Sequence, residues 1–283
     1  MAELASIVKA PGDGVVSGSV LVRLREGTGR PLYCVHPTGG SVTWYRPLAA
    51  ALRAPRPVIG LQARGLSGGV DPVRLDELAA SYVAEIQAHD DEAPHALLGW
   101  SMGGSIAFEM ARLSGQIDPL ILVEPSLPSE AAQRRLASEG ALLEEARAVR
   151  DALRALPADA AARTGRLHEP HRLQELLRAA GLADQEVEFG ADAPVEVWLS
   201  LTKVMAGFRL GPCSAPVHLV VSDAFARGRG FADYLQTWRS VSAGGLTVHQ
   251  VPGTHLTMLT EPLAHHIAAI VETCLPGERV GES

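Results

Sequence analysis

The stretch HALLGWSMGGSIAFEMARLSG, residues 95–115, decides the fold of this chain. It has the pattern of an apolar strand, a G-x-S-x-G turn around Ser101, and an amphipathic helix closed by Gly115. A sharp strand-to-helix turn needs Gly99 and Gly103, because a side chain at either position would collide with the neighbouring strand or helix. Such a turn exposes the Ser101 hydroxyl above the sheet. Taken alone, the stretch also fits a glycine-rich turn in which the serine only caps the helix.

Strands and helices alternate on both sides of this stretch, and the alternation predicts the fold class. It indicates an α/β protein with a mostly parallel, doubly wound sheet that is covered by helices on both faces. The further predicted strands are 15–24, 31–37, 57–62, 118–125, 215–223 and 246–253, and the further predicted helices are 46–53, 75–90, 231–240 and 262–275.

Residues 126–205 interrupt the alternation with helical blocks that contain no convincing strand. We predict that they form a helical lid inserted between strands rather than a second independent domain. The alternative is that these helices only thicken the core. The predicted organisation is an N-terminal lead-in with the first strand at 1–30, a core made of 31–125 and 206–283, and the lid at 126–205.

Composition excludes several classes of protein. The chain has 283 residues and is 47% hydrophobic, so it can bury a large core without a metal or disulfide staple. A net charge of −7 argues against nucleic acid as the main partner, and no apolar run is long enough for a membrane span. Cys34, Cys213 and Cys274 are widely spaced, which favours free thiols in a reducing compartment over a disulfide frame or a zinc site. We therefore predict a cytoplasmic protein with no metal, nucleic acid or membrane partner.

A serine nucleophile needs a base and donors for an oxyanion, and the sequence offers both. VPGTHLTML, residues 251–259, places His255 in the loop between the last predicted strand and the last helix, where the base of such folds lies. The N–H of Met102 at the helix start points to where an oxyanion would form. The N–H of Thr38, in the loop after an early strand, is the expected second donor.

Four segments carry a resemblance to a known family. They resemble the thioesterase domains that end nonribosomal peptide synthetase and polyketide synthase assembly lines, which have the α/β-hydrolase fold. The resemblance runs from Arg30 to Leu275 and is weak in the helical insert; its HP-x-GG and VPG-x-H-x-TM patterns are more specific than G-x-S-x-G. The segments are LYCVHPTGG (32–40), LLGWSMGGSIAFEMA (97–111), LILVEPSLP (120–128) and VPGTHLTML (251–259).

This resemblance implies a serine thioesterase that acts on a chain delivered by a carrier protein. An acyl or peptidyl chain would pass from the carrier's phosphopantetheine thiol to Ser101 and leave by hydrolysis or macrocyclisation, with no cofactor in the enzyme itself. The alternatives are a stand-alone editing thioesterase and a generic carboxylester hydrolase or lipase of the same fold. A non-catalytic hydrolase-like binding protein is disfavoured, because Ser101, His255 and both oxyanion loops are intact.

Two residues are candidates for the acid that orients His255. The family's assembly-line branch has Asp after the strand that follows the nucleophile helix, and this chain has Glu124 there. Editing relatives carry the acid one strand later, where Asp223 lies. Either carboxylate could hold the imidazole in the correct tautomer. We favour Glu124, because the histidine loop has the assembly-line form.

Four residues are expected to contact substrate. Trp44 and Tyr45 follow the TGG loop and are predicted to border the pocket. Trp198 and Met205 belong to a helical segment that is apolar nearly all round, which suits a tunnel for the acyl chain and equally suits plain packing against the core. The arginines of the lid could steer an acidic carrier protein, but pairing with neighbouring acids on the same helices explains them better.

Overall fold

The computed structural model describes residues 20–69, 71–72, 74–127 and 195–275. Within these ranges the chain forms one seven-stranded sheet with helices on both faces. The strands are β1 (Leu21–Arg25), β2 (Leu32–Val35), β3 (Val58–Leu61), β4 (His95–Trp100), β5 (Ile117–Val123), β6 (Val217–Ser222) and β7 (Leu246–Val251).

The spatial order of the strands is β1-β3-β2-β4-β5-β6-β7. Strand β1 runs antiparallel to β3, and every other neighbouring pair is parallel. The central strand β4 is completely buried, as its continuous apolar sequence requires when both faces of a sheet are covered. The predicted mostly parallel sheet is confirmed.

Helices cover the sheet on two sides, so the predicted double winding is also confirmed. Helices α2, α3 and α6 pack with one set of strand side chains, and α1 and α7 pack with the opposite set. No helix in the described ranges has both the length and the apolar character that crossing a bilayer requires. The helices are α1 (Arg46–Ala51), α2 (Leu75–His89), α3 (Met102–Ser114), α4 (Val195–Ala206), α5 (Asp223–Ala226), α6 (Phe231–Val241) and α7 (Ala264–Cys274).

Element boundaries follow local backbone signals. Helix α3 ends as predicted, because Gly115 adopts the left-handed conformation (φ 62°) that caps a helix at little steric cost. Strand β5 ends at Val123, earlier than predicted, because Glu124 turns the chain with a φ of 39°. The predicted strand at 15–24 begins only at Leu21 in the described part of the chain.

Most of the predicted lid, residues 128–194, lies outside the described residues, as do 1–19 of the lead-in. The end of the lid interval is described and forms α4. This helix lies over the loop that follows β2, because a Cβ on Gly40 would be 3.1 Å from Val197 and 3.5 Å from Leu201. Helix α4 therefore covers one of the two loops predicted to bind an oxyanion.

Candidate active site

Ser101 lies in a strained turn between β4 and α3. Its backbone angles are φ 56° and ψ −126°, a conformation that residues other than glycine rarely adopt. A Cβ on Gly99 would overlap the backbone of Gly103, and a Cβ on Gly103 would overlap the carbonyl of Val35. Both glycines are thus required by close backbone contact, as the sequence predicts, and the turn places Ser101 at the carboxyl end of the sheet's central strand.

The start of α3 lies against the loop that contains Thr38. A Cβ on Gly103 would come within 2.7 Å of the His36 carbonyl oxygen, so only glycine lets the helix approach the end of β2 so closely. The loop turns just beyond, where the Gly40 N–H donates to the Pro37 carbonyl at 2.9 Å. The structure therefore brings the first residue of the helix, Met102, to the same edge of the sheet as Thr38. The joint oxyanion role of their N–H groups stays a prediction.

His36 and Tyr82 support this loop from the side of α2, and neither role was evident from the sequence. His36 is fully buried; its Nδ1–H donates to the Pro37 carbonyl at 2.8 Å, and its Nε2 accepts from the Tyr82 hydroxyl at 2.7 Å. Burial lowers the pKa of His36, and the Pro37 carbonyl and the charge of Asp71 act in the opposite direction. A neutral imidazole thus links the loop to α2. The adjacent HP pair was the available signal.

Glu124 is the acid that contacts His255. The Nδ1–H of His255 donates to Glu124 Oε2 at 2.7 Å, and the backbone N–H of Ser222 donates to Glu124 Oε1 at 2.6 Å. Both side chains are buried. Each carboxylate oxygen therefore has a donor, and the tautomer with a proton on Nδ1 makes Nε2 the nitrogen that can act as a base.

The environment of Glu124 favours its ionised form. Burial raises the pKa of this carboxyl group. The hydrogen bond and positive charge of His255, together with the hydrogen bonds from Ser222, outweigh burial and hold the pKa below its usual value. At neutral pH the histidine thus faces a carboxylate that stabilises an imidazolium.

Asp223, the alternative acid, does not contact His255. It begins α5 immediately after β6, and its Oδ1 accepts from the Gln250 side chain at 2.6 Å. Strand β6, which ends just before Asp223, nevertheless contributes to the site, because its last residue, Ser222, donates its N–H to Glu124. The geometry therefore favours the first of the two candidate acids.

Contacts made by Ser101 and by the residues next to it connect the serine with Glu124 and His255. The N–H of Ser101 donates to the carbonyl of Val123, the residue before Glu124, at 3.0 Å. The ring of Trp100, the residue before Ser101, lies 5.3 Å from the ring of His255 between centroids. The serine, the histidine and the acid therefore occupy one small region at the carboxyl ends of β4, β5 and β7.

Ser126 contacts the proposed nucleophile directly, a role that was not predicted from the sequence. Its Oγ lies 3.1 Å from the Oγ of Ser101, and its N–H donates to the Ser101 carbonyl at 3.0 Å. Its own carbonyl accepts from the hydroxyl of Ser105 at 2.5 Å. A serine two residues after the acid in LILVEPSLP was the available signal. This contact shows that the hydroxyl of Ser101 is reachable by a neighbouring polar group.

The four expected substrate contacts have different positions. Tyr45 is fully buried, with its hydroxyl donating to Val35 O at 2.5 Å and accepting from Trp100 N–H at 2.9 Å, and its contact with substrate stays a prediction. Trp44 is half-buried, with its ring 5.4 Å from that of Trp100. Met205 packs against the core from α4, and Trp198 lies in that helix with a side chain outside the described set.

The arrangement is that of acyl transfer through a covalent intermediate. A strained serine stands at a helix N-terminus, and nearby a buried histidine is oriented by an ionised carboxylate. That chemistry needs a base for the serine proton, a carboxylate that stabilises the resulting cation, and N–H groups that bind the oxyanion. These roles stay predictions for His255, Glu124 and the main-chain N–H groups.

Comparisons with known proteins agree with this geometry. A family model described as "Thioesterase domain" matches residues 30–274. The chain is 42% identical over 94 residues to a dimodular nonribosomal peptide synthase of Bacillus subtilis, which covers 32% of this chain and 4% of that protein. It is 27% identical over 276 residues to a nonribosomal peptide synthetase of Aspergillus terreus, which covers 88% of this chain and 28% of that protein. The chain thus spans a small part of the length of these relatives.

A solved structure with the same fold is a covalent complex of the NocB thioesterase domain with a fluorophosphonate nocardicin G analogue. It superposes with a TM-score of 0.59 at 22% identity, covering 89% of this chain and 96% of that one. At this identity the likeness shows the fold.

Proposed function

Since the chain belongs to the family of thioesterase domains, we propose that it releases an acyl or peptidyl chain from the phosphopantetheine thiol of a carrier protein, through an ester on Ser101. The observation that carries the proposal is the 2.7 Å hydrogen bond between His255 and the buried, ionised Glu124, next to a serine held at φ 56°. The relatives named as peptide synthetases support the carrier-bound substrate.

In the first half-reaction the Oγ of Ser101 attacks the thioester carbonyl carbon while Nε2 of His255 takes the hydroxyl proton. The carbonyl oxygen becomes an oxyanion next to the N–H groups of Met102 and Thr38. Collapse breaks the C–S bond, and the imidazolium returns the proton to the leaving thiolate of the phosphopantetheine arm. The chain is now an ester on Ser101.

In the second half-reaction an oxygen or nitrogen nucleophile attacks the ester carbonyl, with His255 removing its proton. The C–O bond to Ser101 then breaks, and the imidazolium returns the proton to the Ser101 Oγ. Water gives a free acid by hydrolysis, and a hydroxyl or amine of the chain itself gives a macrocycle. Nucleophile, base and acid are all side chains of this protein, so the reaction as proposed uses no metal and no organic cofactor. The partner is an acyl or peptidyl carrier protein, without nucleic acid or membrane.

We place the reaction in the cytoplasm. Cys34, Cys213 and Cys274 are free thiols, which suits a reducing compartment.

The proposal is tested with a carrier protein that bears an acyl-phosphopantetheine. The enzyme should release the chain and free the carrier thiol, with an acyl-enzyme visible by mass spectrometry on the peptide that contains Ser101. Ser101→Ala should abolish both turnover and labelling by a fluorophosphonate probe. A protein that neither labels nor turns over any acyl substrate would be a non-catalytic relative, and the proposal would fail.

The same assay separates thioester release from general ester hydrolysis. A carrier-bound thioester should react much faster than a p-nitrophenyl ester of the same acyl group. Equal or inverted rates would indicate a generic carboxylester hydrolase instead. Comparing a short acyl group with a full-length peptidyl chain then distinguishes an editing enzyme, which prefers the short group, from one that releases finished chains.

A further inference from the structure

A cluster of metal-binding side chains lies away from Ser101, on the face of the sheet that α7 covers. One ring nitrogen each of His218 and His249 and the Sγ of Cys274 lie within 4.8 Å of one another. The three residues belong to β6, β7 and the end of α7, and each is half-buried. A ligand at the cluster would therefore contact three separate elements.

Sheet register explains why these residues meet. His218 pairs with Thr247 across β6 and β7, so His249, two residues further along β7, points to the same face as His218. Cys274, the last residue of α7, packs on that same face. None of this is visible as a linear motif, because the three residues are far apart in sequence.

The cluster is distinct from the active site. His218 is the second residue of β6, whereas Ser222, which binds Glu124, is the last residue of that strand. Four residues of extended strand separate the two by roughly 13 Å. A ligand held by His218 would not touch the reacting groups.

We propose that His218, His249 and Cys274 bind a zinc ion, with water as the fourth ligand. Two imidazoles and one thiolate form a donor set that suits Zn²⁺ and does not suit the oxygen-seeking Mg²⁺ or Ca²⁺. The Nδ1 of His218 and the Nε2 of His249 are 3.0 Å apart. Two nitrogens on a tetrahedral zinc, each about 2.0–2.1 Å from the metal, are separated by roughly 3.3 Å. The pair therefore needs only a small movement to bind the ion.

Burial and charge act on the three candidate ligands in different directions. Burial lowers the pKa of both His218 and His249, which favours the neutral imidazoles that bind metals. Burial, and then the carboxylate of Asp118, raise the pKa of Cys274 to about 11, so zinc has to displace the thiol proton when it binds. The same carboxylate acts on His218, so negative charge faces the place where a cation would lie.

Zinc binding exchanges bonds without any redox step. The proton shared in the hydrogen bond between the two imidazoles moves to the other nitrogen of its ring, and two Zn–N bonds replace that hydrogen bond. A Zn–S bond forms as the Cys274 thiol releases its proton to solvent. The metal would then join residues 249 and 274, the two ends of the segment that contains His255. We expect the metal to stabilise the position of that segment on the sheet.

The test uses the full-length, untagged, metal-free protein under a reductant that does not chelate metals. Cobalt should bind one to one, with the visible spectrum of a tetrahedral site and a thiolate charge-transfer band, and zinc should displace it. Cys274→Ser should remove the charge-transfer band. His218→Asn and His249→Asn should each weaken binding by more than the roughly 10- to 100-fold that follows loss of a metal ligand's hydrogen-bond partner.

Two controls keep the proposal falsifiable. His265→Asn changes an exposed histidine of the same helix and should leave the affinity unchanged. In the unmodified protein, which needs no variant to fold, zinc should protect Cys274 from alkylation, with the buried Cys34 and Cys213 as internal references. Binding that survives Cys274→Ser with its spectrum intact, or a Cys274 that zinc does not protect, would overturn the site whatever the thioesterase assays give.

Discussion

Ser101 and Glu124 share an unusual backbone conformation. In the described part of the chain they are the non-glycine residues with positive φ, at 56° and 39°. Each follows the last residue of a strand, β4 or β5, and such a conformation costs about 1–3 kcal/mol. Each residue is held by a backbone hydrogen bond to the next strand. Ser101 N–H donates to Val123 O at 3.0 Å, and Glu124 N–H donates to Val220 O at 2.9 Å. The proposed nucleophile and its acid are thus held in strained backbone conformations by hydrogen bonds to the neighbouring strands.

The role of Glu124 is tested by Glu124→Gln. The amide keeps the shape of the side chain and can still accept from the Ser222 N–H, but it no longer carries the charge that stabilises the His255 imidazolium. We expect kcat for thioester release to fall by about 10⁴-fold. Steady-state kinetics with a carrier-bound substrate measure the loss, and thermal unfolding checks that the variant is folded.

Asp223→Asn is the matched control for this substitution. Its Oδ1 contacts Gln250 and not His255, so turnover should stay within a few-fold of the unmodified enzyme. If Asp223→Asn is inactive while Glu124→Gln is active, the acid must be reassigned to the later strand.

At the scale of elements, the close contact between α3 and β2 controls the geometry of the oxyanion site. In Gly103→Ala the new Cβ would overlap the Val35 carbonyl and approach His36 O, so helix and loop must separate. We expect a loss of about 1–3 kcal/mol in the free energy of unfolding. Turnover should fall about 10²-fold, because displacements near 1 Å have that effect on positioned groups.

Urea denaturation and carrier-substrate kinetics measure the two effects. Gly207→Ala is the control, because nothing lies within 4 Å of a Cβ at that position. Its free energy of unfolding should change by no more than about 0.5 kcal/mol. Equal behaviour of the two variants would contradict the close-contact explanation.

The hydroxyl of Tyr45 joins β2 to β4 at the carboxyl edge of the sheet. Tyr45→Phe would leave the buried N–H of Trp100 and carbonyl of Val35 without this partner. Unsatisfied buried groups cost about 1–3 kcal/mol, so we expect the free energy of unfolding to fall by that amount. Urea denaturation gives the value. Ser240→Ala, which removes an exposed hydroxyl, should have almost no effect, and a Tyr45→Phe variant as stable as that control would refute the joining role.

At the scale of the whole molecule, features with a local sequence pattern were predictable. The alternation of apolar strands with amphipathic helices was enough for the α/β class, and the four segments were enough for the family, which the family model confirms. The glycines around Ser101 were predictable because their requirement is local backbone contact.

Features that depend on how distant parts of the chain pack together were not predictable from the sequence. The His36–Tyr82 hydrogen bond and the buried position of Tyr45 require the three-dimensional register, as does the cluster of His218, His249 and Cys274. The choice between Glu124 and Asp223 was only partly predictable, because the form of the histidine loop favoured Glu124 but the spacing of the residues left both open. Both follow a strand in the sequence, and only the position of the His255 loop relative to β5 and β6 separates them.

Histidine burial makes the stability of the whole fold depend on pH. Burial lowers the pKa of His36, His218 and His249; the positive charge of His218 lowers that of His249 further. In the unfolded chain these histidines take up protons near pH 6.5, whereas the folded protein keeps them neutral to lower pH. Because the unfolded state then binds more protons at these three residues, their contribution lowers the free energy of unfolding as pH decreases below that value. Protonation of Glu124 affects the free energy of unfolding only at more acidic pH, because its pKa lies below the usual value of a carboxyl group.

We therefore expect urea denaturation, with a chelator present, to give a lower free energy of unfolding at about pH 5.5 than at about pH 7.5. The fully buried His36 alone contributes up to about 1.4 kcal/mol per pH unit in this window. His36→Asn should lower the stability at neutral pH, because Tyr82 and Pro37 lose their imidazole partner, yet make the pH dependence shallower. A variant with the same slope as the unmodified protein would show that the proton uptake belongs to other groups, and that His36 is not held neutral by the fold.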